Sequence, residues 1–307
     1  MSVIICAHNP RPDYLQRVLL ALKNQTLSRE LWELLLIDNL SAEPLSERWD
    51  LSWHPHSRHI REATLGLTPA RIRGIHESLG IILIFVDDDN VLAPDYLETA
   101  LSIGREWPML GAWGGSIRGE FEKPVDPRIA PYTYLLTIRE LTSDHWTNNM
   151  SDGSAEPYGA GLCIRKFVAN AYAEECRSNP FKLLLDRRGT DLSSSGDIDL
   201  IKTCEKFHLG VGIFRRLQVT HLISSHRTEI KYLLRLNRSK AASTAILDFI
   251  REGKQSPFSL KRLVMEIRGI LLRRGLERKF YRAAVLGHRD AKATLKLVWS
   301  TAFRRSE

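Results

Sequence analysis

Short apolar runs alternate with stretches of helical periodicity over the first 115 or so residues. The apolar runs at 2–6, 34–37 and 81–86 have the length of buried strands. Apolar positions at helical spacing fill residues 13–23 and 70–79, which lie between these runs. Because such alternation is typical of βαβ units, the sequence predicts an α/β fold with a mostly parallel sheet flanked by helices.

The pattern weakens beyond residue 115. A further strand is predicted at 111–117, and the polar stretch 143–158 indicates a loop. A helix is expected to begin at 198–205, with Ser195 or Asp197 as its N-cap. No internal repeat is visible.

Composition narrows the class of protein. The 307 residues are 43% apolar and 26% charged, which is typical of a folded globular chain and excludes disordered, fibrous and disulfide-rich classes. The longest apolar run, 79–86, is far shorter than the ~20 residues that span a bilayer. The N-terminal run lacks the features of a secretory signal, and the four cysteines form no C-x-x-C pair. We therefore expect a cytoplasmic protein.

Positive charge is concentrated at the C-terminal end. The part from Arg227 onward has a net charge of +13, whereas the preceding part has −5. A basic tail on a mildly acidic body favours contact with phosphates, in nucleic acid or in anionic lipid. The tail is mostly helical by pattern, with one apolar face in each of the stretches 260–271 and 291–303. These faces either lie in an anionic membrane interface or pack against the rest of the protein.

Polar residues follow each predicted strand of the first half. His8 and Asn9 follow the first strand, Asp38 the second, and the triplet 87–89 (Asp-Asp-Asp) the third. Ligands of open α/β sheets bind at these carboxyl ends. Three adjacent carboxylates repel one another and favour a hard divalent cation such as Mg²⁺ or Mn²⁺. A solvated acidic turn is the alternative.

The order and spacing of several motifs resemble family-2 glycosyltransferases with the GT-A fold. The first four are SVIICAHNP at 2–10, IDNLS at 37–41, LTPARIRGI at 67–75 and ILIFVDDDN at 82–90. Three more follow at 157–166, 194–200 and 219–227. The resemblance covers roughly residues 1–235. It implies a nucleotide-binding half at 1–115 and an acceptor and catalytic half at 116–235, and it leaves 236–307 as a basic helical tail.

The resemblance implies a Rossmann-like GT-A sheet and inverting transfer of a sugar from a nucleotide-diphosphate donor to an acceptor hydroxyl. A divalent metal, Mn²⁺ or Mg²⁺, would neutralise the leaving diphosphate. Asp89 matches the direct metal ligand, His221 a further ligand, and Asp87 a possible third; a hydrogen-bonded structural role is the alternative for His221. The positions matching donor-nucleotide contacts are Ala7, His8, Asn9, Asp38, Arg71, Asp87 and Asp88. For Arg71, a salt bridge to an aspartate of the triplet is the alternative.

The general base of the family is the Asp of a Glu-Asp pair. Asp197 matches this Asp, but Gly196 stands where the Glu would be, and Asp199 is the second candidate. An N-cap role without chemistry is the alternative for Asp197. The residues matching the donor-sugar and acceptor region are Trp113, Gly159, Ala160 and Gly161, although a buried Trp and a tight glycine turn are equally ordinary structural features.

The expected partners are a nucleotide-sugar donor and a saccharide or lipid-linked acceptor, as in polysaccharide or glycolipid biosynthesis. The basic tail adds possible peripheral attachment to the inner face of a membrane. One alternative is a nucleotidyltransferase, which would need no base at Asp197. The others are a non-catalytic nucleotide binder and a nucleic-acid-binding protein. No specific nucleic acid is expected, because the aromatic residues of the tail are not interleaved with basic ones.

Overall fold

The computed structural model describes residues 1–151, 153–253 and 260–303, and side chains within 1–151, 153–253 and 263–298. The first half of the chain builds one side of a sheet, in which β3, β2, β1 and β4 lie in that order and run parallel. Its elements are β1 (Ser2–Ala7), α1 (Pro12–Lys23), β2 (Glu33–Asp38), α2 (Leu45–Arg48), β3 (Ser57–Arg61), α3 (Leu67–Glu77) and β4 (Ile82–Asp87).

The second half extends the same sheet with strands of mixed direction. β8 pairs antiparallel with both β4 and β6, while β6 and β9 pair parallel. The order continues from β4 through β8, β6 and β9 to β5, with β7 also on β9. The elements are β5 (Asn90–Leu92), α4 (Tyr96–Glu106), β6 (Leu110–Phe121), β7 (His145–Thr147), β8 (Leu162–Arg165), α5 (Lys166–Ser178), α6 (Gly196–Lys202) and β9 (Gly210–Ile223).

The parallel strands are buried on both faces, which is why they read as uninterrupted apolar runs. Val3 and Ile5 of β1 pack in one core cluster with α1 and α4, and Ile4 packs in the opposite cluster with α3 and α5. Both predicted helices and all three predicted strands of this half form, which confirms the α/β prediction. Strand β3 was not predicted because Ile60 is the one buried position in it.

Three helices complete the described chain: α7 (Ile230–Glu252), α8 (Leu260–Leu272) and α9 (Gly275–Phe303). Leu233 and Leu236 of α7 pack in one cluster with Leu136, so α7 belongs to the body of the protein. The expected tail boundary at 235/236 therefore falls inside a helix, and the expected 115/116 boundary falls inside β6. Within the described part of the chain, no helix has the length and apolarity to cross a membrane.

Candidate active site

A cavity of ≈ 290 Å³ lies at the carboxyl ends of β1 and β4. This volume is close to the lower end of the ~300–1,000 Å³ typical of small-molecule sites. The wall is built from these strand ends, the beginning of α3, the loop before α6 and the end of β9. The residues expected from sequence that line it are Ala7, His8, Arg71, Asp87, Asp88, Asp89, Gly159, Ala160, Asp197 and His221.

The three aspartates concentrate negative charge on one wall. They follow directly on β4, which ends at Asp87. Burial raises the pKa of Asp88 to about 8, with further contributions from Asp89 and Asp87. Burial and the charge of Asp89 also raise the pKa of Asp87. Arg187, an exposed residue that also lines the cavity, opposes both shifts in part. The positive charge around Asp87 and Asp88 therefore does not fully neutralise their carboxylates.

Asp89 is held by His221 near the end of β9 and by Arg227 in the turn that follows this strand. The pairing of β5 with β9 puts Asn90 opposite His221 and brings the imidazole next to the triplet. Nη1 of Arg227 lies 2.7 Å from Oδ2 of Asp89 and donates a 3.0 Å hydrogen bond to Nε2 of His221. Burial alone would raise the pKa of Asp89, but the nearby His221 and Arg227 lower it well below the usual range.

The donor chemistry of this corner fits a hard divalent cation. Oδ2 of Asp89 and Nε2 of His221 lie 3.3 Å apart. Neighbouring ligands of an octahedral ion with ~2.1 Å bonds lie roughly 3 Å apart. The carboxylates of Asp87 and Asp88 supply further oxygen atoms and unneutralised charge. Among the described residues, no group of three potential ligands is already arranged around one point, and Arg227 is paired with Asp89.

Arg71 connects the triplet side of the cavity to the loop before α6. Its buried guanidinium donates from Nη1 to Oδ2 of Asp186 at 2.9 Å. Burial would lower the pKa of Arg71, but Asp186 and Asp197 outweigh this effect and raise it. The alternative of a salt bridge from Arg71 to the triplet is wrong, because its ion-pair partner is Asp186.

Asp197 lies in the first turn of α6 and lines the same cavity as Asp89. Its Oδ2 accepts a 2.8 Å hydrogen bond from the backbone N–H of Gly159, and its Oδ1 accepts one of 2.9 Å from that of Ile198. Ser195, not Asp197, stands at the N-cap position. A carboxylate oriented by backbone donors at the wall of a cavity is suited to accept a proton.

Two expected site residues lie in the interior instead. Asp199 is fully buried and paired with Lys182 at 2.7 Å and Arg251 at 2.9 Å, because its position on α6 turns it away from the cavity. Trp113 is fully buried in the core under the guanidinium of Arg165. The prediction of Asp199 as a second base is therefore wrong, as is that of Trp113 as a sugar-stacking residue.

Three further expected residues support the loops without lining the cavity. Asp38 accepts hydrogen bonds from the backbone N–H groups of Ser41 and Leu45, and Oδ1 of Asn9 accepts one from the N–H of Ala42. Gly161 has a positive φ of 74°, and a Cβ at this position would lie close to the Tyr96 hydroxyl. Only glycine permits this arrangement. These contacts give the three residues a role in loop structure, and their expected donor or acceptor contacts stay a prediction.

The cavity also contains residues that the sequence did not indicate. Asp186 and Arg187 lie in an irregular loop, where no periodic pattern marks a position as buried or exposed. Arg227 ends the quoted motif at 219–227, so its place in that motif was an available signal. Asn39 adds backbone support, because its amide accepts from the N–H of Gly66 at the start of α3.

Comparison with known proteins identifies a family model and several solved structures that resemble this chain. Residues 2–154 match the model of the family described as Glycosyl transferase family 2. This match assigns residues 2–154, just under half of the chain, to glycosyl transferase family 2. No curated protein sequence matches the chain.

Solved structures share the fold of this transferase. The structure of S. aureus TarS 1-349 has 14% identity and a TM-score of 0.51, over 92% of this chain and 80% of that one. A TarS 1-349 complex with UDP-GlcNAc has 12% identity and a TM-score of 0.50, with 95% and 91% coverage. GalNAc-T7 with UDP, GalNAc and Mn²⁺ has 16% identity and a TM-score of 0.51, with 85% of this chain and 53% of that one covered. These likenesses show a GT-A glycosyltransferase fold.

Proposed function

We propose that this glycosyltransferase moves a sugar from a nucleotide-diphosphate donor to an acceptor hydroxyl, with metal assistance and inversion at the anomeric carbon. The observation that carries the proposal is that the acidic triplet at 87–89, His221 and Asp197 line one cavity. Structural neighbours whose complexes contain UDP-GlcNAc, or UDP with Mn²⁺, support this donor class.

Asp89 and His221 would hold the metal, with Asp87 as a possible third ligand. When bound, the ion would act as a Lewis acid on the diphosphate and lower the barrier to its departure. Arg71 and Arg187 would add fixed positive charge toward the phosphates. Such preorganised charges stabilise a leaving group because they need no reorganisation during the reaction.

Asp197 would act as the general base. It accepts the proton of the acceptor hydroxyl as that oxygen bonds to the anomeric carbon, while the bond from this carbon to the diphosphate breaks on the opposite face. The hydrogen bond from the Gly159 N–H would keep the carboxylate oriented. Attack and departure on opposite faces give inversion. A nucleotidyltransferase would not require this carboxylate.

A thermal-shift screen with UDP-, GDP-, dTDP- and CMP-sugars, with and without Mn²⁺, tests the proposal. A ligand at 100 times its Kd stabilises the native state by about 2.7 kcal/mol. We expect one nucleotide class to raise the Tm in an Mn²⁺-dependent manner, and Asp89→Ala to remove this dependence. Asp290→Ala, in an exposed ion pair, is the control. Absence of any shift would contradict the function, and an unaltered Mn²⁺ effect in Asp89→Ala would contradict the metal assignment.

The acceptor is proposed to be a saccharide or a lipid-linked saccharide at an anionic membrane surface. The orientation of α8 supports this location. Glu266 of α8 faces α9, where it pairs with Arg289 at 3.2 Å, and just after α8 the Arg273 guanidinium lies 4.0 Å from the ring centroid of Tyr281. The exposed side chains of α8 are mainly apolar: Val264, Met265, Ile267, Leu271 and Leu272.

Exposed Arg268 and Arg274 accompany this apolar face. An apolar helix face with flanking Arg residues is complementary to an anionic lipid interface, where each nearby basic residue adds about 1 kcal/mol of binding. The net charge of +13 from Arg227 onward has the same sign. We therefore propose that α8 docks on anionic lipid, rather than on a second copy of this basic chain.

Vesicle flotation tests the docking. The triple variant Val264→Ser, Ile267→Ser and Leu271→Ser should lose co-flotation with vesicles containing phosphatidylglycerol. Leu79→Ser, at an exposed apolar residue elsewhere, should keep it. Vesicles of phosphatidylcholine alone should bind little of either protein. Equal flotation of the triple variant and the wild type would contradict docking through α8.

A further inference from the structure

Gly196 leaves a space that another residue fills with a carboxylate. A Cβ added to Gly196 would lie 2.1 Å from Oδ2 and 2.3 Å from Cγ of Asp186. Gly196 is the first residue of α6 and is not among the positive-φ glycines, so its backbone conformation suits any residue. The close approach of Asp186 is therefore what requires a glycine here.

Asp186 is buried and satisfied by three donors. Its Oδ2 accepts hydrogen bonds of 2.9 Å from Nη1 of Arg71 and of 2.9 Å from Oγ1 of Thr68, and the backbone N–H of Gly196 donates to the same carboxylate. Thr68 and Arg71 belong to α3, whereas Gly196 begins α6. One side chain from the intervening loop thus fixes these two helices relative to each other.

Arg71 lies between two carboxylates. Nη1 points to Asp186, while both Nη2 of Arg71 and Oδ2 of Asp197 approach the same side of Gly159, at 3.0 and 3.2 Å from the Cβ that this glycine lacks. Without Asp186, the guanidinium would have Asp197 as its nearest remaining anion on this side. An ion pair between them would occupy the proposed base and draw Arg71 away from the donor phosphates.

We propose that Asp186 is a positioning residue that takes over, from the loop before α6, the role of an acidic side chain at position 196. It holds Arg71 for the donor and keeps Asp197 free for the acceptor proton. This inference rests on the proposed function. Gly196, which precedes the proposed base in the sequence, is neutral. The carboxylate of Asp186, ten positions earlier, supplies the negative charge at this place.

The geometry allows the carboxylate to be moved back. The Cβ to Cδ span of a Glu side chain is about 2.5 Å, from standard bond lengths and angles. This span is close to the 2.3 Å that separate the Cβ position of residue 196 from Cγ of Asp186. In the double variant Asp186→Ala with Gly196→Glu, the new carboxyl group can therefore lie where that of Asp186 lies now.

The test measures kcat and KM for release of nucleoside diphosphate from the donor found in the screen, together with the Tm of each variant. Asp186→Asn keeps the side-chain shape, and we expect it to lower kcat/KM about tenfold or more, which corresponds to about 1.4 kcal/mol. Asp186→Ala with Gly196→Glu should recover most of this loss. Asp186→Ala with Gly196→Gln, of matched shape but neutral, should not.

Three results would overturn the proposal: full activity of Asp186→Asn, equal recovery with Gln and with Glu, or no recovery in a Glu variant whose Tm equals that of the wild type. If the double variants do not fold, Asp186→Asn decides alone. An inactive wild type would overturn the proposed function and this inference together, whereas an active wild type with an unaffected Asp186→Asn would overturn this inference only.

Discussion

Replacing Asp199 by Asn separates a structural carboxylate from the proposed general base, Asp197, two residues away. Asp199 is fully buried and accepts from Lys182 at 2.7 Å and Arg251 at 2.9 Å. Removing one partner of a buried ion pair costs about 3–5 kcal/mol, since it leaves an uncompensated charge. Lys182 retains Glu175 at 2.7 Å, so we expect the lower end, about 3 kcal/mol. In a chain of this size this corresponds to a fall in Tm of roughly 6 °C.

Urea unfolding of the wild type and the variant measures the change. Asp290→Asn is the matched control: its pair with Arg238 is 42% to 47% exposed, so its loss should cost less than about 1 kcal/mol. Donor affinity and turnover per folded Asp199→Asn molecule should equal those of the wild type, because Asp199 does not line the cavity. Unchanged stability together with lost turnover would refute this reasoning and restore Asp199 as a base candidate.

Three further predictions concern other parts of the molecule. Burial lowers the pKa of His54 to about 4, so the neutral imidazole stabilises the fold above pH ~6.5. Up to about 3 kcal/mol of the unfolding free energy should be lost as the pH falls from ~6.5 through 4. Urea unfolding of a His54→Gln variant should lack this part of the pH dependence. Gly74→Ala places a Cβ 2.4 Å from Cγ2 of Ile4 and should lower the unfolding free energy by about 1–3 kcal/mol, and an unchanged value would show that the two elements separate easily. Arg227→Gln should increase the rise in Tm caused by Mn²⁺, because the guanidinium no longer competes for Asp89, and an equal or smaller rise would contradict that competition.

The parallel half of the fold was predictable because burial on both faces makes its strands apolar throughout. Strand β3 was not, since Ile60 is its one buried residue. The antiparallel β8 was not predicted, because no local pattern specifies that a short apolar run inserts between β4 and β6. Local signals predict elements, whereas the order of strands in the sheet depends on long-range packing.

The residues of the candidate site likewise divide into those that a local sequence pattern indicates and those that only long-range packing reveals. The triplet at 87–89 was found because its charge pattern follows a strand. Asp186 was missed because its partner Arg71 lies 115 positions away, and no local pattern indicates such a contact. Trp113 shows the converse limit: an aromatic residue in a glycine-rich strand suits either a sugar face or a core, and only the packed structure distinguishes them.

The most direct test of the central claim is the rate at which Asp197→Asn releases nucleoside diphosphate from a saturating nucleotide sugar in the presence of Mn²⁺ and acceptor. We expect a fall in kcat of about a hundredfold or more, the range ascribed to general-base catalysis, with a donor Kd close to that of the wild type. A variant that binds the donor normally and turns over at the wild-type rate would contradict the assignment of Asp197 as the base.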